Sequence, residues 1–272
     1  MVTTYCIAPN PILAAYVSSY TLRHFDTGGI DFKRPWFACH LTSIVFFFKD
    51  KQINLQNPIS GIIIKKCNCI NVLGLSSEYN GEMTYNGCYL LFEIAFNPIG
   101  LNGIFEIPVS EIRNHIIDGI ELLGPDIQTL YRLLCNAKDI KEMGQLADIY
   151  LLNHLLKKNQ VHQSNNLLKI VENIVNSHGR SNLDQIILRA NMSNRNLERL
   201  FINKVGVSPK HLNCIVRFNL ALSFKKRNAK VNWSAIAAEY GYFDQMHMIS
   251  EFKHLSGNTP SNLMKILLMT EN

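Results

Sequence analysis

The sequence predicts an α+β protein of two parts. Residues 1–160 read as a β-rich domain, barrel- or sandwich-like, with flanking helices; residues 166–270 read as an all-α domain of two helix-turn-helix units. Three observations carry this prediction. Aromatic and β-branched stretches separated by Gly, Asn, Pro and Ser fill roughly the first hundred residues. From Asp126 onward the apolar residues recur at helical spacing. A polar run, Lys157 to Asn166 (KKNQVHQSNN), separates the two parts as a linker.

In chain order, Pro11 to Tyr20 carries Leu13, Tyr16, Val17 and Tyr20 at helical spacing and predicts a short helix. Trp36–Phe48, Ile59–Ile64, Ile70–Leu75 and Tyr85–Phe96 predict strands. Ile127, Leu130, Tyr131 and Leu134 form one helical stripe. Ile140, Met143, Ala147, Tyr150, Leu151 and His154 form another. These two helices can pack on their own β-domain or against a second copy of the chain.

After the linker, Leu167, Ile170, Val171, Ile174 and Val175 stripe a helix that Ser177-His178-Gly179 ends. Asn182 and Gln185 form a capping-box-like start for a short helix, Leu183 to Ala190, and Asn191 suits the left-handed turn after it. Ser193 can cap a helix from Asn194 to Asn203 that buries Leu197, Leu200 and Phe201 and leaves Arg195, Asn196, Glu198 and Arg199 outside. The plan then repeats. A long helix runs from Pro209 to Arg227, Asn232 caps Trp233 to Tyr240, Gly241 makes the turn, and Asp244 caps Gln245 to His254 over Met248 and Phe252. Gly257 and Thr259-Pro260-Ser261 start a last helix.

Charge and cysteine usage narrow the function classes. Residues 1–165 hold 13 Lys/Arg against 14 Asp/Glu, whereas residues 166–272 hold 14 against 7. The positive excess lies wholly in the C-terminal part and points to a polyanionic partner there. No apolar run approaches the length of a membrane span, and Pro9 and Pro11 interrupt any signal-peptide core, so a cytoplasmic location is expected. The seven cysteines are odd in number, and Cys67 and Cys69 stand one residue apart, which is not a zinc spacing; reduced, mostly buried thiols are expected. Cys39 and His40 are adjacent but His24 is remote, and no His-x-His or His-Glu-x-x-His pattern occurs, so no metal, cofactor or catalytic group is assigned.

A helix with an apolar back and an Arg/Asn-rich front after a tight turn suits the DNA major groove. Arg can pair bidentately with guanine, and Asn with adenine. An ordinary solvated surface helix is the competing reading of that segment alone.

The longer pattern is more specific. Leu197-Glu198-Arg199-Leu200-Phe201, Gly206-Val207-Ser208-Pro209-Lys210, Arg217 and Ala221 stand first. Ile236-Ala237, Tyr240-Gly241-Tyr242-Phe243-Asp244, Phe252-Lys253 and Gly257-Asn258-Thr259-Pro260-Ser261 follow in order. Residues 166–268 thereby resemble the DNA-binding domain of the AraC family of bacterial transcription regulators. The resemblance implies two recognition helices joined by one stiff helix and entering the major groove about one helical turn apart. It implies base reading by Arg195, Asn196 and Arg199 in the first unit and by Gln245, Met246, Ile249 and Ser250 in the second. It also implies RNA polymerase as a partner.

The second helix departs from the family pattern. Ser250 stands where an Arg is usual, and Ile249 where a small hydroxyl residue is common, so this helix is expected to read thymine methyls through Met246 or Ile249, or mainly to position the protein. Leu263-Met264 replaces a usual Tyr-Arg pair, a packing change. Lys204, Lys210, Lys225, Lys226, Arg227, Lys230 and Lys253 are candidates for phosphate contact.

In the N-terminal part, Phe96-Asn97-Pro98-Ile99-Gly100 followed by Ile104-Phe105-Glu106-Ile107-Pro108 resembles the sensor domains of one AraC subgroup. That implies a module that binds a small effector or dimerises, often on a cupin-like barrel, and names no ligand. Trp36, Phe37 and Phe46 to Phe48 can line a pocket, although such aromatics more often form core. Two alternatives stay open: a ligand-independent dimeric DNA-binding protein, and a DNA-targeted enzyme. The second lacks support, since no cysteine follows a proline, Cys39-His40 stands between Ala38 and Leu41 rather than in a Pro-Cys-His-Arg setting, and no Walker, dinucleotide or nucleophile-elbow motif occurs.

Overall fold

A computed structural model describes residues 2–49, 54–56, 63–157, 165–182 and 193–271. The N-terminal domain consists of two antiparallel sheets. The larger contains β1 (Thr3–Ile7), β2 (Val17–Asp26), β4 (Thr42–Phe47), β7 (Ile70–Leu73), β9 (Cys88–Phe96) and β10 (Ile116–Asp118), in the spatial order β1-β2-β9-β4-β7-β10. The smaller contains β3 (Phe32–Pro35), β5 (Asn54–Gln56), β6 (Ile63–Lys66) and β8 (Glu82–Tyr85), in the order β3-β8-β5-β6.

The larger sheet is buried on both faces, so its central strands read as apolar runs rather than as alternation. One face carries Tyr20, Ile44, Phe46, Val72, Phe92 and Ile94. It is covered by α4 (Asp126–Asn136) and α5 (Ile140–Leu156): Tyr131 stacks on Phe46, and Gly144 lets α5 approach Ile7 and Tyr20. Asp148 on α5 then accepts the Tyr20 hydroxyl at 2.7 Å and the Asn10 N–H at 3.0 Å. The opposite face meets the smaller sheet through Phe25, Val45, Phe47, Tyr89 and Leu91, which pack with Trp36, Leu55 and Tyr85.

Several sequence expectations change here. Pro11 to Tyr20 is not a helix. Asn10 caps a single 3-10 turn, Pro11–Leu13, and Val17 already begins β2, which pairs with β9 along its whole length. Burying Val17 and Tyr20 in a sheet outweighed the helical spacing of four residues. Trp36–Phe48 is a strand only from Thr42, and Tyr85–Phe96 is divided by a turn at Asn86-Gly87. Of Ile59–Ile64, residues 59–62 lie outside the described residues. Three short helices were not anticipated: α1 (Gly100–Phe105), α2 (Val109–Ile112) and α3 (Gly119–Leu123). The Phe96–Gly100 segment has a packing cause, because a Cβ on Gly100 would lie 1.9 Å from the Tyr16 carbonyl oxygen. All seven cysteines are free, but only Cys67 is buried; Cys6, Cys69 and Cys135 are exposed.

The C-terminal domain is helical: α6 (Asn165–Asn176), α7 (Asn194–Val205), α8 (Pro209–Arg227), α9 (Trp233–Glu239), α10 (Gln245–Ser256) and α11 (Pro260–Glu271). The expected Leu183–Ala190 helix, the Asn191 turn and most of the polar linker lie outside the described residues. The two domains share one continuous core. Val109 Cγ1 lies 3.0 Å from where a Cβ on Gly206 would stand, Arg113 Nη1 donates to the Gly206 carbonyl at 3.2 Å, and His211 Nε2 lies 2.8 Å from the Ser77 carbonyl.

Candidate nucleic-acid interface

Each recognition helix is set by its own ends. Ser193 accepts the Asn196 N–H and starts α7; Asp244 accepts the His247 N–H and starts α10. Gly206 and Gly257 end them with φ of 92° and 70°, a left-handed conformation that costs glycine little. Between them Ser208 caps α8 onto the His211 N–H, and Pro209 takes the first helical position, where no N–H is needed. Both recognition helices run slightly longer than expected, to Val205 and Ser256.

The two units superpose in sequence by a shift of 51 residues. Leu197 and Met248, Phe201 and Phe252, Gly206 and Gly257, and Pro209 and Pro260 then coincide. The first two pairs are buried, so the shift aligns the inner faces of the helices and therefore their outer faces as well.

On the outer face of α7, Arg195, Asn196 and Arg199 are exposed, and Arg199 Nη2 donates to Asn196 Oδ1 at 3.1 Å. On α10, Gln245, Met246 and Ser250 are exposed, whereas Ile249 is half-buried. Lys210 and Lys253 are exposed and Lys204 is half-buried. Lys225 differs from its expected role: its ammonium donates to the carbonyls of Ala229 and Val231, both at 2.6 Å, and lies 5.5 Å from the Trp233 ring centre. It closes the loop after α8 instead of projecting toward a phosphate.

The spacing of the units depends on groups that sequence reading did not assign. Glu251 on α10 faces inward and pairs with Arg217 on α8, whose Nε donates to Oε1 at 3.2 Å and whose Nη2 donates to Oε2. The guanidinium carbon lies 4.5 Å from the Tyr242 ring centre. Burial opposes the charge on Arg217, but the hydrogen bonds and the charge of Glu251 outweigh it and raise its pKa. Burial raises the Tyr242 hydroxyl as well. Phe252 packs edge-on against Phe218 of α8 and Trp233 of α9, completing the seat of α10. In the sequence Arg217 stands out only within the family pattern, because its partner sits 34 residues away, beyond any local spacing rule.

The N-terminal domain also touches this assembly. Ala38 N–H donates to the Leu255 carbonyl at the end of α10 at 2.8 Å, and Phe37 packs edge-on against Phe218. The same segment lines a cavity of about 200 Å³ between the sheets, walled by Trp36, Phe37, Val45, Phe47 and Leu73 with Arg23, Arg34 and Glu93. Glu93 accepts the Ser43 hydroxyl at 2.7 Å. A second space of about 300 Å³ adjoins it, and Arg23, Arg34, Tyr85 and Leu91 line both.

Residues 188–266 match the family model described as a helix-turn-helix domain. No curated protein matches the chain. Among solved structures, it is similar to ToxT of Vibrio cholerae strain SCE256 bound to an unsaturated fatty acid, with TM-score 0.50 and 11% identity over 98% of this chain and 95% of that one. It is similar also to ToxT of Vibrio cholerae O395 bound to (E)-4-(8-methylnaphthalen-1-yl)but-3-enoic acid, with TM-score 0.50 and 10% identity over 98% of both chains. A variant of apo ToxT from strain SCE256 gives TM-score 0.50 and 11% identity over 91% of this chain and 97% of that one. At such identities the likeness is one of fold, an N-terminal antiparallel β-domain followed by a helical domain. The matched domain agrees with the capped helices α7 and α10 and the connecting α8, and residues 188–266 form a helix-turn-helix domain.

Proposed function

We propose that the chain regulates transcription by reading a specific duplex sequence through α7 and α10 while an effector in the N-terminal cavity sets the pose of the reading helices. Arg195, Asn196 and Arg199 contact bases from α7. Gln245, Met246 and Ser250 do so from α10, with Ile249 at the edge of that contact. Lys204, Lys210 and Lys253 meet phosphates. The observation that carries this reading is the outward placement of Arg195, Asn196 and Arg199 on a helix whose opposite face, Leu197 and Phe201, is fully buried. A guanidinium pair with an amide between them matches base edges in the major groove. The test is selection of bound fragments from genomic DNA by the purified chain, followed by Arg199→Ala. The expected loss is about 1–3 kcal/mol on the selected site, with nonspecific binding unchanged. Equal loss on every duplex would contradict the assignment.

The effector class follows from the cavity lining. Two guanidiniums against one carboxylate, among aromatic and aliphatic walls, favour an anion with an apolar body. The two carboxylic acids bound by ToxT belong to that class. Control would pass through Trp36 to His40, because this segment both lines the cavity and bonds to α8 and α10. Long-chain carboxylates should raise the melting temperature of the chain and change its affinity for the selected duplex. Alcohols of the same chain length that worked equally well would remove the role given to Arg23 and Arg34.

Control by pairing of two copies is a second reading. It is favoured by Leu133, Ile149 and Leu156, which stand exposed on the α4–α5 hairpin. Sedimentation of the full chain with and without Ile149→Glu distinguishes it.

A further inference from the structure

We propose that α10 selects A·T pairs by placing Phe243 and Met246 against thymine methyl groups, so that the two units read neighbouring DNA segments by unlike chemistry. The proposal rests on the reading surface given above and on the thymine-methyl expectation for Met246, and adds a residue outside the helix, Phe243, and a division of base chemistry between the two units.

The 51-residue shift sets Met246 at the position of Arg195, His247 at that of Asn196 and Ser250 at that of Arg199. The first unit therefore presents two guanidiniums and an amide, whereas the second presents a thioether, an imidazole and a hydroxyl. The imidazole is already engaged: His247 Nδ1 accepts the Phe243 N–H at 3.3 Å, and its ring packs edge-on against Tyr242. No Arg or Lys stands in α10 before Lys253.

Apolar surface stands at the DNA-facing end instead. Phe243 is 92% exposed and Met246 is 70% exposed. An apolar residue just before an N-cap ordinarily packs on the fourth helical residue and fixes the entry of the chain. Here that residue is Met248, which is fully buried, and Phe243 leaves it to project into solvent. Phe243 thus contributes almost nothing to the folded core. Met246 and Ser250 stand one turn apart on the outer side of α10, and Phe243 stands exposed just before its N-cap, so the groove-entering end of the helix carries uncharged groups. In the major groove only thymine carries a methyl group, and apolar side chains distinguish it by contact. A large exposed ring beside the groove-entering end of a recognition helix meets that requirement.

The test uses the full chain and a duplex selected from a random pool. Thymines are replaced by uracils in one segment at a time, which removes the methyl and keeps every hydrogen-bonding group. Uracil in the segment facing α10 should weaken binding about fourfold per methyl removed, the equivalent of one buried methylene. The double variant F243S/M246S, whose sites are exposed and whose fold is checked by its melting temperature, should bind thymine and uracil duplexes equally. R199A should keep the uracil effect and lose discrimination in the other segment. A selected site indifferent to uracil, or a uracil effect that survives in the double variant, overturns the proposal. A pool from which no sequence is enriched would instead refute the reading surface itself.

Discussion

Asn219 on α8 holds His40 of the N-terminal domain by both edges of its amide. Its Oδ1 accepts the His40 backbone N–H at 3.1 Å and the ring Nδ1 at 2.7 Å, while its Nδ2 donates to the Ala38 carbonyl at 2.7 Å. A backbone N–H only donates and a carbonyl only accepts, so the amide has one orientation and His40 carries its proton on Nδ1. Asn219→Ala leaves these groups without their partner and should cost about 1–3 kcal/mol of stability. Urea denaturation measures the loss, and an unchanged midpoint and slope would show that the clasp contributes nothing.

Acid should loosen the same contact. Burial pushes the His40 pKa below its ordinary 6.5, with the Asn219 hydrogen bond opposing in part. His154 is shifted the same way, by burial first and then by Lys157. A histidine depressed in the folded state binds its proton more readily when unfolded. Its destabilising effect is therefore absent well above pH 6.5 and grows as pH falls below it. Stability measured at about pH 7.5 and about pH 5.5 should drop at the lower value, and His40→Gln should lessen the drop. Equal pH dependence in that variant would assign the effect elsewhere.

The Arg217–Glu251 pair is mostly removed from water, with side chains 13% and 9% exposed. Removing one member of such a pair strands the other charge and typically costs about 3–5 kcal/mol. Glu251→Ala should reach that range and should weaken DNA binding as α10 loses its seat. Replacing both members by apolar residues, Arg217→Met with Glu251→Leu, should recover most of the stability. A double variant no better than the single one would show that the Tyr242 stacking, rather than the stranded charge, dominates.

Salt dependence separates the lysines. Each lysine on a phosphate steepens the fall of log affinity with log salt by about 1. Lys210→Ala and Lys253→Ala should each flatten the slope by about that amount. Lys225→Ala should leave the slope alone and lower thermal stability, since its ammonium serves the Ala229 and Val231 carbonyls. A flattened slope for Lys225→Ala would return it to the phosphate-contacting set.

By itself the sequence determined the described helices of the C-terminal half and the outward placement of Arg195, Asn196 and Arg199. Ser193, Asn232 and Asp244 each cap the helix expected of them, because capping links a side chain to an N–H only three residues on. Gly206 and Gly257 mark helix ends for an equally local reason, and the faces of α7 and α10 follow from period alone. Tertiary structure decided the rest. Val17 and Tyr20 suit a helix by spacing but lie in β2, because their partners on β9 are more than seventy residues away. Asn219 reaches His40 across 179 residues, and Glu251 reaches Arg217 across 34. Sequence spacing reports only those forces that act within a turn or two of backbone. Strand pairing, domain docking and the seating of α10 arise from surfaces that meet only after the chain has folded.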